Sequence, residues 1–354
     1  MNDVFIGATT TTFPSPLPAL QVAEKCYPPH LCSDHVTTLA KRFAANFGIK
    51  RRTICIDLER IPEKVLTHAS HHPLAWCTTL IENLSTVLPI DQIGYLGVAY
   101  NATLHTETLP NLACQTAMQT DMAPEIAPEE FAHYGCAGGF FPLQTAIQYC
   151  RCNQKAAIVI VLDQCSSRCS LCYDPSDTMF KMDLKANLLF SDGAAAVLLI
   201  PERMRPAFAR PVLKIIDLLL DFHLSDTIRF TETRFILGEQ LKNEIPPIVV
   251  DSVIQPILAK HSLMPADIAE WSIHQGSKAI LARFADPALL GLTDHQLSRS
   301  AHLFEQFGNM SAPSCFFVLD SFFREGHNHQ QPRYGAVVGF GAGFYQACLL
   351  YSWD

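Results

Sequence analysis

The chain has 354 residues, 49% of them hydrophobic and only 17% charged, with a net charge of −8 from 26 Lys+Arg against 34 Asp+Glu. That composition excludes a disordered tail, and the acidic balance excludes a nucleic-acid binder, since no basic run exceeds Lys50-Arg51-Arg52. The longest apolar runs fall far short of the ~20 residues that span a bilayer, and no leader opens the chain, so a cytoplasmic protein is expected.

In chain order, prolines at 14, 16 and 18 mark irregular chain, and a helix is expected over 33–47, stopped by Gly48. Residues 93–99 read as a buried strand and 140–151 as a helix with Pro142 in its first turn. Continuous apolar runs at 156–162 and 188–200 read as strands covered on both faces, with Asp192-Gly193 shaping a turn at the start of the second. Then come a helix at 248–260, a short strand at 271–274, a helix at 311–323 and two strands at 335–343 and 344–351. Each half repeats the rhythm of turn, helix, strand, Gly-containing bend and strand. The expected division is 1–203 and 204–354, joined near the proline-rich stretch 201–211. So little charge in so large a chain also suggests an oligomer.

Thirteen cysteines, an odd number, cannot all pair within the chain. Most are expected to be buried thiols in a reducing compartment. Cys136 stands apart, in Tyr134-Gly135-Cys136-Ala137-Gly138-Gly139-Phe140 just before a helix. Exposed N–H groups there favour a thiolate, so a lowered pKa and a nucleophile are one reading and a buried Cys in a Gly-rich turn is the other. Cys150, Cys152, Cys165, Cys169 and Cys172 crowd one stretch, but they do not form paired knuckles, and no metal is expected there.

Three other motifs are weak singly: Ile273-His274-Gln275-Gly276, Phe307-Gly308-Asn309-Met310-Ser311-Ala312 and Gly339-Phe340-Gly341-Ala342-Gly343. His133 is a rival base by its nearness to Cys136, though an exposed turn residue is the commoner case. Together with Cys136, and in this order and spacing, the three motifs resemble the thiolase superfamily. The closest resemblance is to the 3-oxoacyl-ACP synthase III and type III polyketide synthase branch. Phe47-Gly48-Ile49-Lys50-Arg51-Arg52 is similar to that branch's early G-I-x-x-R element, and Phe190-Ser191-Asp192-Gly193-Ala194-Ala195-Ala196 also fits.

The resemblance implies a five-layer α/β/α/β/α duplicated fold in a homodimer, or a heterodimer with a related subunit. It implies that Cys136 takes an acyl group from a coenzyme A or acyl-carrier-protein thioester, with no permanently bound cofactor. His274 and Asn309 would hold a malonyl-type extender during decarboxylative Claisen condensation. The backbone N–H groups of Cys136 and Ala342 would form the oxyanion hole. Type III polyketide synthases usually have proline at the position of Ala342, so the donor retained here is 3-oxoacyl synthase-like, whereas Gly-Asn-Met-Ser is type III-like. Arg42 and Asn46 replace the Trp and Arg that often grip adenine, and the basic residue after His274 is shifted to Lys278. These departures favour specialised metabolism over fatty-acid initiation. The acidic surface would repel an acidic carrier protein unless a local patch overrides it, and Lys50, Arg51, Arg52 and Lys278 are the residues expected to form that patch. Acyl transfer to an alcohol or amine without condensation is the alternative chemistry, and a non-catalytic partner subunit the alternative class.

Overall fold

Among the residues that the structure, a computed structural model, describes (2–105, 107, 109–231, 234–238, 240–326 and 333–354), nine strands join in one sheet. They are β1 (Val4–Thr12), β2 (Ile93–Tyr100), β3 (Glu129–Ala132), β4 (Ala156–Gln164), β5 (Asp192–Pro201), β6 (Leu213–Ser225), β7 (Ile268–Ile273), β8 (Tyr334–Gly341) and β9 (Gly343–Trp353). Their order across the sheet is β7-β8-β9-β6-β1-β5-β4-β2-β3.

Read from its two flanks, this order is a repeat. In the first half β2 and β4 run parallel, while β4 with β5 and β5 with β1 run antiparallel. In the second half β7 and β8 run parallel, while β8 with β9 and β9 with β6 run antiparallel. The equivalent strands β1 and β6 then meet antiparallel through Phe5–Lys214 and Ile6–Leu213, which places a pseudo-twofold axis between them.

Side-chain alternation along the strands sorts the core into layers. Ile158, Ile160, Ala196 and Leu198 face one cluster, filled from the other side by helices such as Asp34–Asn46 and Pro73–Ser85. Their neighbours Val159, Val161, Val197 and Leu199 face a central cluster. Two helices fill that centre, α1 (Phe140–Cys152) and α2 (Ser314–Glu325), through Phe140, Leu143, Phe316 and Leu319. Burial of each such side chain contributes roughly 1.5–3 kcal/mol. Val337, Ala347 and Leu349 close the centre from the second half, while Val338, Cys348 and Leu350 face a third cluster with Val249, Val253 and Ile257. The layering is helices, sheet, helices, sheet, helices, the five-layer α/β/α/β/α arrangement expected from the sequence.

Several elements differ from expectation for local reasons. The run 188–200 is not one strand: Phe180–Leu189 is helical, and β5 begins only at Asp192, which lies in the strand and not in a turn. A continuous apolar stretch carries no period to separate buried helix from buried strand. The helix expected at 248–260 starts earlier, at Leu241, and carries Pro246 and Pro247 inside it. A π-helical turn at Val250–Ile254 follows, absorbing the ladder bonds that the prolines disrupt. The helix expected from 311 starts at Ser314, with Ser311 outside it at a φ of 60°.

Candidate active site

Cys136 sits in a short 3₁₀ turn, Gly135–Ala137, just before α1. Gly135 has a φ of 61°, a left-handed conformation that favours glycine. A methyl group on it would lie 2.5 Å from the amide nitrogen of Ala342, and one on Gly341 would lie 2.2 Å from the amide nitrogen of Cys136. The cysteine turn and the bend between β8 and β9 are thus in direct backbone contact. Only glycine permits that approach, which gathers the backbone amides of Cys136 and Ala342 at one place.

Asn309 lies in the corresponding turn of the second half, before α2. The segment leading into β5 holds its backbone: Asn309 N–H donates to the Leu189 carbonyl at 3.1 Å, and Ser191 N–H donates to the Asn309 carbonyl at 2.7 Å. Its side-chain Nδ2 donates to the Gly276 carbonyl at 3.2 Å, and its Oδ1 accepts Ser311 N–H at 2.8 Å. His274 follows β7 directly, with its own N–H donating to the Val338 carbonyl at 2.8 Å. Its ring stands edge-on to Phe340, 5.1 Å between centroids, and its buried Nδ1 has no protein partner.

The structure connects these residues through intermediaries. Cys136 Sγ lies 3.3 Å from Ser311 Oγ, and Ser311 is bonded to Asn309, which reaches Gly276, two residues beyond His274. Among the described residues no hydrogen bond joins Cys136 to His274. His133 has a φ of 69° and packs its ring against Tyr100, and among the described residues no hydrogen bond joins it to Cys136.

The electrostatics correct one expectation. The Cys136 thiol is not lowered; desolvation by burial pushes it up to about 12, with the nearby Asp163 charge acting in the same direction. Three residues separate Cys136 from the first residue of α1, and the dipole's benefit fades within a turn, so desolvation of the sulfur outweighs it. Burial likewise lowers the His274 imidazole to about 3. Both shifts favour the uncharged forms, a thiol and a neutral imidazole, over an ion pair.

Two residues that the sequence did not single out, Asp163 and Asn101, support the cysteine turn. Asp163, at the end of the apolar strand β4, is fully buried. Its Oδ1 accepts the N–H groups of Asn101 and Ala102 at 2.7 and 2.9 Å, and its Oδ2 accepts Asn101 Nδ2 at 3.0 Å and Ala312 N–H at 3.1 Å. Asn101 Nδ2 also donates to the Gly135 carbonyl at 3.0 Å, which ties the cysteine turn to this carboxylate. The available signal was a charged residue closing an otherwise apolar strand at its carboxyl end, where α/β folds place their chemistry. Asp192 is a scaffold group: it accepts Cys55 N–H at 2.6 Å and Ser166 N–H at 2.8 Å.

A groove of about 560 Å³ is lined by Gly48, Ile49, Lys50, Lys278, His302 and Glu305 among others, and Ile49 in its wall packs toward Gly308, the residue before Asn309. Lys50 is paired there with Glu305. Arg52 does not belong to this basic surface. It is 1% exposed, and its guanidinium donates to the Asn187 carbonyl at 2.6 Å, anchoring the helix that precedes β5. Arg51 turns instead toward the Pro16 carbonyl. All thirteen cysteines are free thiols, and among the described residues no group of three or more His, Cys, Asp or Glu side chains is placed to hold a metal ion.

A profile of chalcone and stilbene synthase C-terminal domains matches residues 221–352. The Bacillus subtilis protein named "Putative chalcone synthase" is 25% identical over 304 residues, covering 82% of this chain and 79% of its own. The 3,5-dihydroxyphenylacetyl-CoA synthase of Streptomyces toyocaensis is 25% identical over 296 residues, 80% of this chain and 70% of its own. Among solved structures, PKS-I from the brown alga Ectocarpus siliculosus superposes with a TM-score of 0.80 at 19% identity, covering 100% of this chain and 99% of that one. The C-terminal type III polyketide synthase domain of Steely1 from Dictyostelium gives a TM-score of 0.77 at 17% identity, with 99% of each chain covered.

Proposed function

We propose that the chain is a condensing enzyme whose chemistry runs through Cys136, His274 and Asn309, a reading supported by its similarity to type III polyketide synthases and by the chalcone and stilbene synthase C-terminal match over residues 221–352. It is a thiolase-like condensing enzyme of polyketide metabolism that draws on coenzyme A thioesters. Cys136 Sγ attacks the acyl thioester and carries the acyl group as a covalent intermediate, which divides the reaction into loading and extension. The neutral His274 and the second N–H of the Asn309 amide donate to the carbonyl of a malonyl-type extender, stabilising the enolate left by decarboxylation. That carbanion attacks the acyl-Cys136 carbonyl, whose oxyanion is received by the amides of Cys136 and Ala342.

The observation that carries this reading is the contact between the cysteine turn and the Gly341-Ala342 bend, because it serves no packing purpose that a side chain would not serve better. Lys50 and Lys278 at the groove suit the phosphates of the donor. We take the working division of the chain as 1–203, holding the nucleophile, and 204–354, holding His274, Asn309 and Ala342. We also propose a homodimer in the cytoplasm. β3 is an edge strand with one side unpaired, and Leu109, Met118 and Ile126 stand exposed on the neighbouring surface at 88%, 71% and 42%. Among the described residues no helix is long and apolar enough to cross a membrane.

Intact-protein mass spectrometry tests the chemistry. An acyl mass is expected on the wild type from an acyl-coenzyme A panel, absent from Cys136→Ala and discharged by malonyl-coenzyme A. Discharge by an added alcohol or amine, but not by the malonyl donor, would replace condensation by simple acyl transfer. Parallel incubation with an acyl-carrier-protein thioester asks whether that donor loads as well.

A further inference from the structure

The proposed condensation needs His274 and Asn309 to reach one carbonyl, yet they stand on different elements. His274 follows β7, and Asn309 lies just beyond the helix Asp294–Phe307. Their side chains converge at Gly276. Its carbonyl accepts Asn309 Nδ2 at 3.2 Å, and a methyl group on it would lie 4.0 Å from His274 Nε2. Misplacing one such group by about 1 Å can cost about 10²-fold in rate.

β7 ends the nine-stranded sheet, so β8 satisfies its inner edge alone. The backbone groups on its outer edge need other partners. The helix Asp294–Phe307 supplies them with side chains. At the start of the strand, Gln296 Nε2 donates to the Ile268 carbonyl at 3.0 Å. One helical turn on, Ser300 Oγ accepts Ile273 N–H and donates to the Trp271 carbonyl, both at 3.1 Å. Ser300 is fully buried, and its single hydroxyl hydrogen goes to Trp271, which leaves a lone pair for Ile273. It makes the two bonds that a residue of a tenth strand would make.

His274 is the next residue, and its own N–H is fixed from the inner side by the Val338 carbonyl at 2.8 Å. The same helix closes on Gly308, whose N–H donates to the Phe304 carbonyl at 2.8 Å, immediately before Asn309. One rigid element therefore carries Asn309 at its end and grips the strand behind His274 at its middle. We propose that Ser300 is a positioning residue for the condensation, holding the end of β7 so that His274 and Asn309 meet the extender carbonyl together. Without its hydroxyl, an N–H and a C=O would be buried unpaired, and the strand end would shift or admit water to satisfy them. His274 would move with it.

This inference rests on His274 and Asn309 holding the extender, and the test separates the two. Carbon dioxide release from malonyl-coenzyme A, in the presence of the acyl-coenzyme A that labels Cys136, is followed for wild type, Ser300→Ala, Ser300→Thr and Gln296→Ala. A urea transition checks the fold of each. Ser300→Ala should lower kcat about 10-fold or more while KM stays within about twofold, because the enolate draws on the two donors harder than the bound carbonyl does. Ser300→Thr keeps the hydroxyl and should recover most of the rate. Gln296→Ala removes a bond of the same kind from the far end of the strand, so it should lose stability and keep kcat. Should Ser300→Ala not fold, Ser300→Cys, whose thiol bonds only weakly, takes its place with the same expectation. Wild-type kcat in the Ser300 variant, or the same loss of kcat in Gln296→Ala, would overturn the positioning role. A wild type that releases no carbon dioxide would overturn the condensing reading itself, and this inference with it.

Discussion

The cysteine turn before α1 and the asparagine turn before α2 occupy corresponding places in the repeat, yet they are built for opposite tasks. In the first, Gly135 at a φ of 61° lets a foreign backbone, the Ala342 bend, press against the turn that carries Cys136. In the second, Gly308 at a φ of 75° presses against Ser191 Oγ and the Leu189 carbonyl, and the turn beyond it presents side chains. One turn presents a thiol and bare amides; the other presents a side-chain amide and a hydroxyl. Duplication thus gave two similar helix entrances facing one central layer, and the site arises where they meet across it. A single unpaired half would hold neither the approach of the Cys136 and Ala342 amides nor the contact of Ser311 with Cys136.

The sharpest way to break this division of labour is to remove the side chain that the second turn presents. Asn309→Ala should lower condensation by about 10²–10³-fold, the usual cost of losing one aimed donor. The acyl mass should still build up on Cys136, because loading draws on the first turn. Rapid-quench mass spectrometry reads both events in one experiment. Failure to load would show that the two turns do not divide the chemistry.

Crowding the seam between the turns comes next. Gly341→Ala would place a methyl group 2.2 Å from the Cys136 nitrogen, against backbone that cannot swing aside. Overpacking of this kind costs about 1–3 kcal/mol, read from a urea transition, and turnover should fall with it as the oxyanion amides separate. Gly308→Ala would strain its own turn to a similar extent but leave the contact of Cys136 with Ala342 intact. Its loss of loading should therefore be the smaller of the two.

Acid separates the halves by charge. His274 has a folded pKa of about 3 against an ordinary 6.5, so below pH 6.5 the unfolded chain binds a proton that the folded chain refuses. Stability from this group is complete above pH 6.5 and drains away as the pH falls toward 3, by roughly 1.4 kcal/mol per pH unit. His274→Gln lacks the titration. The wild type should lose about 2 kcal/mol more than this variant between pH 7.5 and pH 5. Parallel unfolding curves at both pH values would show that the imidazole is solvated.

How much of this could be read in advance follows from the kind of signal each residue leaves. Cys136, His274 and Asn309 are legible because each sits among glycines and small residues in an order that few architectures share. The repeat was legible from its bends. Asp163 was not, because Ile160-Val161-Leu162 before it reads as strand and nothing nearby in sequence names its partners Asn101, Ser311 and Ala312. Arg52 was misread as surface, since a run of three basic residues does not reveal that its third member is buried under the helix leading to β5. β1 was missed because four threonines in its second half lack the alternation that marks a half-buried strand, and β6 because it follows the proline-rich joint.

The smallest effect tests whether the groove belongs to the second turn's chemistry or only borders it. Lys50 is 68% exposed and paired with Glu305, whose carboxyl it holds below the usual range. An exposed pair of this sort adds little to stability, since water and salt screen it and ordering the side chains offsets the attraction. Lys50→Ala should leave the unfolding transition where it is. If donor phosphates lie in the groove, the same variant should raise KM for the acyl-coenzyme A a few-fold while kcat holds, because a charge far from the reacting carbonyl binds ground and transition states alike. The increase should shrink as salt is added, following the screening of the lost attraction. A fall in kcat at constant KM would instead place Lys50 within reach of the reacting atoms, and the groove would then be part of the second turn's machinery rather than the donor's point of entry.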